Sequence, residues 1–362
     1  MKQSDPLLFS CDLWQSLAGE TRDILLYGMG NGADKLLAVC EARGIPIRGV
    51  FASDGFVRGH SFHGMRVMSY SEVAEKYPPG DCVVLLAFGS SRPEVMSLFD
   101  RVATRYPLYV PDLPVCGDTL FDQAFYAAHG AEFAAARALL ANEESRALFD
   151  RVLTCKYTAR HACFAEAVSA YTPWDYLATH RITAMADLGA YNGDSAKEAI
   201  GQHPELQYLL AVEPDRRSFK KLQLWAGTVP DILIECHNVA VWDKHGEAAF
   251  DASGNRNAGL CTGRTDSTVA TDTVDRLLDG RCVDYIKLDV EGAEAEALRG
   301  AAETIRSYRP ALRVAAYHRP EDMFLLPQLI TELCPHYRLF LTRLPGFPAW
   351  DLDIVAIPDF LK

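Results

Sequence analysis

A glycine turn between an apolar segment and a helical segment most constrains what this chain can fold into. The turn spans Asp187 to Ser195 and contains Gly189 and Gly193. It follows Ile182 to Ala186, which indicates a buried strand, and it leads into a predicted helix from Ser195 to Ile200. Glycines here let backbone amides approach a ligand, because no Cβ stands in the way. The pattern predicts an α/β domain with a ligand site at the end of this strand. The alternative is an ordinary glycine loop without a ligand.

Two acidic residues indicate which ligand would suit the turn. Asp187 precedes the glycines, and Glu213 ends the next predicted strand, Tyr208 to Val212. This arrangement fits a nucleoside whose amino-acid part lies on the turn and whose ribose hydroxyls bond Glu213. A helix N-terminus flanked by Asp187 and Asp194 disfavours further negative charge. The residues therefore favour S-adenosylmethionine over a pyrophosphate.

Length and charge exclude several classes of protein. The 362 residues predict two domains, and a composition of 49% hydrophobic and 23% charged residues is typical of globular proteins. A net charge of −12 argues against a general nucleic-acid binder. No apolar run approaches the roughly 20 residues that span a bilayer, and the segment Met1 to Pro6 does not look like the start of a signal peptide. We expect a cytoplasmic protein that acts on a small molecule, with no nucleic-acid or membrane partner and with homo-oligomers left open.

The ten cysteines include no CxxC pair and are expected to be free thiols in a reducing compartment. Cys155, His161 and Cys163 lie close together in sequence, but no fourth zinc ligand is near them.

Residues 1–122 are predicted to form a Rossmann-like nucleotide-fold domain. Its strands are Asp23 to Tyr27, Arg48 to Ala52 and Asp81 to Phe88. The turn Gly28 to Ala33 has the Gly-x-Gly-x-x-Ala pattern, and with the later Asp54 it matches a dinucleotide fingerprint. Alternatively, Asp54 only begins the turn into Gly55.

Residues 123–175 are predicted to be a helical connector. Asn142 to Ser145 indicates a helix cap, and Pro173 is expected to end the helical segment, because a proline disfavours helix in the residue before it.

Residues 176–362 are predicted to form a domain with seven strands. The last two strands are joined by Pro345 to Pro348, a link too short for a crossover helix, so they should be antiparallel neighbours. The polar stretch Asp251 to Thr268 is either a hairpin or a mobile loop over the pocket. The predicted strands are Ile182–Leu188, Tyr208–Glu213, Ile232–Val239, Val283–Val290, Ala311–Tyr317, Tyr337–Leu344 and Leu352–Ile357.

A second motif carries charged residues at the end of a buried strand. It runs from Asp284 to Glu294 and contains Lys287, Asp289 and Glu291. Open α/β sheets bind ligands at the carboxyl ends of their strands, and charged groups are rarely buried unpaired. These residues are therefore candidates for a site. Alternatively, Lys287 pairs with an acid as scaffolding, and Glu294 only helps to begin a helix.

With these motifs the sequence resembles the FkbM-type methyltransferases over residues 186–358. Five parallel strands with an antiparallel final hairpin form the mostly parallel sheet of the class I methyltransferase fold. The resemblance depends on the following segments in order: Asp187–Asp194, Val212–Pro214, Asn238–Ala240, Ile286–Glu294 and Tyr317–Asp322.

The resemblance implies S-adenosylmethionine-dependent methyl transfer, usually to a hydroxyl oxygen of a sugar, nucleotide-sugar, polyketide or similar small molecule. It places Glu213 at the ribose, Asn238 and Val239 beside the adenine, and Asp289 and Glu291 beside the methyl group and acceptor. The methionine end would be held by Asp187, Gly189, Ala190, Tyr191, Asn192, Gly193, Asp194 and Ser195. The N-terminal domain lies outside the family pattern and leaves the acceptor undetermined.

An alcohol must lose its proton when it accepts a methyl group, so a base or a metal is useful. His318 is the predicted base, and Lys287 or Glu291 would orient the acceptor. Alternatively, Asp289, Glu291 and His318 hold magnesium or manganese. The residues are also compatible with two other functions: an NAD-dependent two-domain oxidoreductase that uses Gly28 to Ala33, and a non-catalytic nucleotide- or sugar-binding module.

Overall fold

The computed structural model describes residues 11–57, 61–249 and 268–359. The N-terminal part of this region forms one sheet in the order β3-β4-β2-β1-β5-β6, parallel except for the β3–β4 pair. The three strands predicted from the sequence are β1, β2 and β5, with ends that differ by up to two residues. The elements are α1 (Leu13–Ala18), β1 (Asp23–Tyr27), α2 (Asn31–Ala42), β2 (Ile47–Ala52), β3 (Ser61–Phe62), β4 (Met65–Ser69), α3 (Tyr70–Lys76), β5 (Cys82–Leu86), α4 (Pro93–Ala103) and β6 (Leu108–Tyr109).

Close packing accounts for two of the glycines in the N-terminal turn. A Cβ on Gly28 would lie 2.5 Å from the Phe88 ring, and one on Gly32 would lie 2.3 Å from the carbonyl oxygen of Ala87. Asp54 accepts hydrogen bonds from the backbone nitrogen and hydroxyl of Ser71 in α3, both at 2.9 Å. Asp54 therefore holds α3 to the end of β2. Asp54 and Gly55 also lie in the predicted turn, where Phe56 N donates to the carbonyl oxygen of Ser53 at 3.0 Å.

Five helices follow: α5 (Gln123–Ala128), α6 (Gly130–Leu139), α7 (Glu143–Thr158), α8 (His161–Glu166) and α9 (Pro173–Leu177). Asn142 caps α7 as predicted, because its side chain accepts a hydrogen bond from Ser145 N. The predicted end of the helical segment before Pro173 is present, since α8 ends at Glu166 and Thr172 is extended, but a further short helix then begins. Pro173 is the first residue of α9, where a proline needs no N–H donor, and Thr172 is the extended N-cap.

The C-terminal sheet has seven strands in the order β15-β16-β14-β13-β7-β8-β9. The last two strands are antiparallel neighbours, as predicted. β16 lies inside the sheet between β14 and β15, so it is the reversed strand and β15 runs with the others. The elements are β7 (Ala184–Leu188), α10 (Asp194–Gln202), β8 (Tyr208–Val212), α11 (Arg216–Ala226), β9 (Leu233–His237), β10 (Ala240–Val241), β11 (Gly246–Ala249), β12 (Thr268–Asp272), α12 (Val274–Leu278), β13 (Tyr285–Leu288), α13 (Glu294–Gly300), α14 (Ala302–Tyr308), β14 (Ala311–Ala315), α15 (Asp322–Leu333), β15 (Tyr337–Arg343) and β16 (Leu352–Pro358).

β10, β12 and β11 form a small separate sheet beside this one. The polar stretch predicted as a hairpin or loop lies outside the described residues, apart from Thr268 at the start of β12.

The two large sheets are joined by direct contacts. Ser90 and Phe347 form an antiparallel bridge in which each backbone nitrogen donates to the other residue's carbonyl oxygen, at 2.8 and 3.0 Å. The Phe347 ring stacks on His161 and packs edge-on against Phe99. Lys156 and Asp112 form a buried ion pair with a 2.8 Å N–O distance. One hydrophobic core extends from the first sheet through α7 to the second, while domain boundaries at residues 122 and 175 stay a prediction.

In the part of the chain that the structure describes, no helix has both the length and the apolarity needed to span a membrane.

Candidate active site

A cavity of about 460 Å³ lies at the carboxyl ends of β7, β8, β13 and β14. The cavity has two ends, one formed by residues after β7 and β8 and the other by residues beside β13, β14 and β16. At one end, residues after β7 and β8 contribute polar groups, including Tyr191, Ser195 and Glu213. At the other end, residues beside β13, β14 and β16 contribute Asp289, Glu291, Tyr317 and Asp351.

Nine of the predicted site residues line the cavity: Gly189, Tyr191, Asp194, Ser195, Glu213, Val239, Lys287, Asp289 and Glu291. The other six support it from behind or from the side: Asp187, Ala190, Asn192, Gly193, Asn238 and His318. The roles predicted for all fifteen residues stay predictions.

The glycine loop takes its shape from close packing. Gly189 has φ +78°, and a Cβ there would lie 1.8 Å from the carbonyl oxygen of Asp289. Gly193 has φ +84° and begins α10, and a Cβ there would lie 2.3 Å from the Trp225 ring. L-residues disfavour this region of φ. The two motifs predicted from the sequence therefore touch each other through backbone atoms at Gly189 and Asp289.

Lys287 connects the two motifs. It lies opposite Asp187 in the β7–β13 pairing, with its Nζ 3.4 Å from Asp187 Oδ1. The same Nζ donates a 2.9 Å hydrogen bond to the carbonyl oxygen of Gly189. Burial lowers the pKa of Lys287, but Asp187 and Asp289 outweigh that effect and raise it. Burial raises the pKa of Asp187, which is fully enclosed. The scaffolding interpretation of Lys287 therefore agrees with its contacts, although its side chain also borders the cavity.

Glu213 holds the turn from the side of β8. Its Oε2 accepts a hydrogen bond from Tyr191 N and its Oε1 accepts one from Asp215 N, both at 2.8 Å. Burial raises the pKa of Glu213 to about 7 despite these hydrogen bonds.

Asn238, Asn192 and Ala190 stabilise the backbone around the glycine loop and the end of β8. Asn238 Nδ2 donates to the carbonyl oxygens of Glu213 and Pro214, both at 2.9 Å. The carbonyl oxygen of Asn192 accepts a hydrogen bond from Lys197, and Ala190 is fully buried. These residues fix the loop that borders the cavity.

His318 lies behind the acidic residues of the second motif. Its Nε2 is 3.4 Å from Asp289 Oδ1 and 3.4 Å from Glu291 Oε2, and its Nδ1 is 3.0 Å from Glu294 Oε1. Burial lowers the pKa of His318, but Glu294, Asp289 and Glu291 outweigh that effect and raise it to about 10. The ring is fully buried, and an imidazolium has no free lone pair to accept a proton. These contacts favour a charge-balancing role, while the base role stays a prediction.

The two half-buried acids of this cluster, Asp289 and Glu291, have pKa values shifted in opposite directions. Loss of hydration raises the pKa of Asp289, but Lys287 and His318 outweigh it and hold the pKa below its usual value. Burial raises the pKa of Glu291 to about 7, with His318 opposing the rise. Glu291 is thus the carboxyl of this pair that titrates near neutral pH.

The N-terminal half fixes the loop that carries Glu291. Glu291 has φ +55°, which is unfavourable for a residue with a Cβ. Cys116 Sγ donates to the carbonyl oxygen of Glu291 at 2.7 Å. Val115 N and Cys116 N donate to the carbonyl oxygen of His318. These long-range contacts hold the acidic cluster in place.

Sequence reasoning missed several residues of the cavity. Tyr317 belongs to a motif that was recognised, and its hydroxyl donates to Asp289 Oδ1 at 3.3 Å. Ser90 and Ser91 follow β5, and Trp350 and Asp351 precede β16. Because they lie next to strand ends, the sequence could place them at an edge of a sheet. It could not show that they line one cavity, because that depends on how the two sheets pack together.

The ligand set closest to the predicted metal site differs from the prediction by one residue. Among the described residues, Asp289, Glu294 and His318 bring one ligand atom each within 4.8 Å of one another. Glu291 was predicted in place of Glu294.

The methyltransferase FkbM domain family matches residues 187–345. No curated protein matches the chain. The crystal structure of methyltransferase FkbM from Methylobacillus flagellatus KT aligns with a TM-score of 0.71 at 19% identity, over 95% of this chain and 92% of that chain.

Two other solved structures align over about half of this chain. Precorrin-6y C5,15-methyltransferase from Geobacter metallireducens GS-15 has a TM-score of 0.32 at 11% identity, over 54% of this chain and 88% of its own. Aeropyrum pernix fibrillarin with bound S-adenosyl-L-methionine has a TM-score of 0.33 at 10% identity, over 52% and 70%.

The alignment with the M. flagellatus protein shows that both sheets share its fold, because it covers nearly all of both chains. Residues 187–345, which hold the glycine loop and the acidic motif, match the methyltransferase FkbM domain family.

Proposed function

We propose that this chain is an S-adenosylmethionine-dependent O-methyltransferase. Its acceptor is a hydroxyl group of a sugar, nucleotide-sugar, polyketide or similar small molecule. The FkbM domain supports methyl transfer that depends on S-adenosylmethionine. The observation that carries the proposal is one cavity with the glycine loop and Glu213 at one end and Asp289, Glu291 and Tyr317 at the other.

The charges at the first end fit a cationic donor. Asp194, Glu213 and Asp215 line it, and the nearby Lys287 is already paired with Asp187. When bound, S-adenosylmethionine supplies a methyl group on a positively charged sulfur. Glu213 is positioned to accept hydrogen bonds from ribose hydroxyls, since each of its oxygens accepts one backbone N–H and keeps acceptor capacity.

The residues at the second end can accept the proton that the acceptor hydroxyl must lose. A base works best when its pKa lies near the working pH, and the pKa of Glu291 is raised to about 7. Asp289 stays ionised beside it and can orient the acceptor hydroxyl. His318 supplies a buried positive charge that balances these acids. The raised pKa of Glu291 and its place on the cavity wall therefore favour it as the base.

A divalent ion is the alternative means of activating the hydroxyl. Magnesium or manganese on Asp289, Glu294 and His318 would replace the proton of His318. Under this alternative a chelator abolishes methyl transfer and added magnesium or manganese restores it. Activity insensitive to chelator leaves Glu291 as the activating group.

The competing functions are less well supported by the contacts. Both oxygens of Asp54 bind Ser71, and the close packing of Gly28 and Gly32 accounts for those two glycines without a dinucleotide. Calorimetric titration tests the proposal: S-adenosylhomocysteine should bind and NAD should not. Incubation with a methyl-labelled donor and a small-molecule cell extract, followed by mass spectrometry, should show a labelled product. NAD binding without S-adenosylhomocysteine binding would favour the oxidoreductase, and binding without a product would favour the non-catalytic module.

A further inference from the structure

A second cavity of about 280 Å³ lies beside the first, at the N-terminal glycine turn. Gly89, Val115 and Trp350 line both cavities. A Cβ on Gly89 would lie 2.4 Å from the Trp350 ring, so the indole lies directly against the backbone at this position. The two cavities therefore meet at Trp350.

The two cavities differ in chemistry. At the acceptor end of the first, Asp289, Glu291 and Asp351 face the interior. In the second, Lys35 is the one ionisable residue among those that line it, and its Nζ donates to the carbonyl oxygen of Val115. Most of the other residues that line it are apolar, and they include Phe88, Leu113 and Trp350.

Trp350 suits a position between a polar and an apolar region. An indole has an apolar face and an N–H donor. Within the described part of the chain, the buried Trp350 Nε1 makes no hydrogen bond. A ligand that lies across the boundary can pack against the apolar face of this ring.

We propose that the methyl acceptor spans both cavities, which rests on the function proposed above. Its hydroxyl-bearing part lies beside Asp289 and Glu291. An uncharged, apolar part extends past Trp350 into the second cavity. The N-terminal half of the chain is therefore the part of the enzyme that recognises the acceptor beyond the methylated unit.

Alkyl β-glucosides test this arrangement, because they join a ring of hydroxyls to an apolar tail of variable length. Binding of butyl, hexyl and octyl glucoside is measured by calorimetry with S-adenosylhomocysteine present, below micelle-forming concentrations. Burial of a methylene stabilises by about 0.8 kcal/mol, so affinity should rise about three- to fourfold for each added methylene. Leu113 lines the second cavity and not the first, so Leu113→Trp should remove this dependence on tail length.

The control is Leu224→Trp, the same substitution at a side chain that is 76% exposed and lines neither cavity. In this variant, the affinity should depend on tail length as it does in the wild type. Absence of glucoside binding, affinity independent of tail length, or unchanged tail dependence in Leu113→Trp would each overturn the proposal. Each of these results, obtained while S-adenosylhomocysteine still binds, leaves the donor site of the proposed function standing. Failure of S-adenosylhomocysteine itself to bind counts against that function.

Discussion

Lys287 donates a hydrogen bond from its Nζ to the carbonyl oxygen of Gly189, 2.9 Å away, and the same nitrogen lies 3.4 Å from Asp187 Oδ1. This buried lysine joins the strand of the acidic motif to the strand of the glycine loop. Neither carboxylate oxygen of Asp187 accepts a hydrogen bond within the described residues, so the charge of Lys287 is its main compensation.

We therefore expect Lys287→Met to lower the free energy of unfolding by about 3–5 kcal/mol, because it leaves a buried carboxylate unpaired. Chemical denaturation measures the loss. The double variant Lys287→Met with Asp187→Asn should regain part of it, since the uncompensated charge is gone. Lys220→Met, at an exposed lysine of α11, should change stability by less than about 0.5 kcal/mol. Equal losses in the single and double variants would contradict this account.

Glu213 gives a prediction about the donor. Glu213→Ala should weaken S-adenosylhomocysteine binding by about 1–3 kcal/mol, the cost of losing a charge-assisted acceptor. Glu213→Gln should weaken it less, because one oxygen acceptor remains. Calorimetry on folded protein checks both, and Glu332→Ala, at an exposed position of α15, is the control. Unchanged affinity in Glu213→Ala would remove Glu213 from the donor site.

The sequence predicted most of the C-terminal sheet because its strands are short segments rich in apolar residues, with acids or turns near their ends. All seven predicted strands are present, and their ends shift by at most two residues. The sequence could not show that β16 lies inside the sheet, since a short link predicts antiparallel neighbours but not their order. Nor could it show that Ser90 and Cys116 reach the site. Ser90 is held there by its bridge to Phe347, and Cys116 by its backbone hydrogen bond to His318. The two residues of each pair are far apart in sequence.

The raised pKa of Glu291 predicts a pH dependence of turnover. Burial raises this pKa to about 7, and only the ionised carboxylate can accept a proton. Turnover should therefore increase as pH rises through about 7. Glu291→Gln should lower it by about 10²–10⁴-fold and remove the inflection, with KM for the donor unchanged. Glu303→Gln, at an exposed position on α14, should behave as wild type. Normal turnover in Glu291→Gln with loss in Asp289→Asn would assign the base to Asp289.

His318 predicts a pH dependence of stability. Burial opposes its protonation, but the surrounding carboxylates raise its pKa to about 10, above the ordinary value of 6.5. A raised pKa stabilises the folded state fully below pH 6.5, and this contribution is lost as pH rises towards 10. The difference in unfolding free energy between wild type and His318→Asn should shrink across this range, by up to about 1.4 kcal/mol per pH unit. Denaturation at pH 7, 8 and 9 measures it. A constant difference would mean that His318 is neutral in the folded protein.

Gly193 tests whether the donor loop depends on close packing as well as on backbone conformation. It has φ +84°, and a Cβ would lie 2.3 Å from the Trp225 ring. Gly280 has nearly the same conformation, φ +78°, but no heavy atom lies within 4 Å of a Cβ placed there. Gly280→Ala should therefore show only the backbone cost of about 1–2 kcal/mol. Gly193→Ala should add about 1–3 kcal/mol of overpacking and should weaken S-adenosylhomocysteine binding, because Trp225 or the start of α10 must move. Chemical denaturation and calorimetry on both variants separate the cost of the backbone conformation from the cost of overpacking against Trp225. Equal stability losses with unchanged donor affinity would show that Trp225 yields freely and that the loop does not depend on this contact.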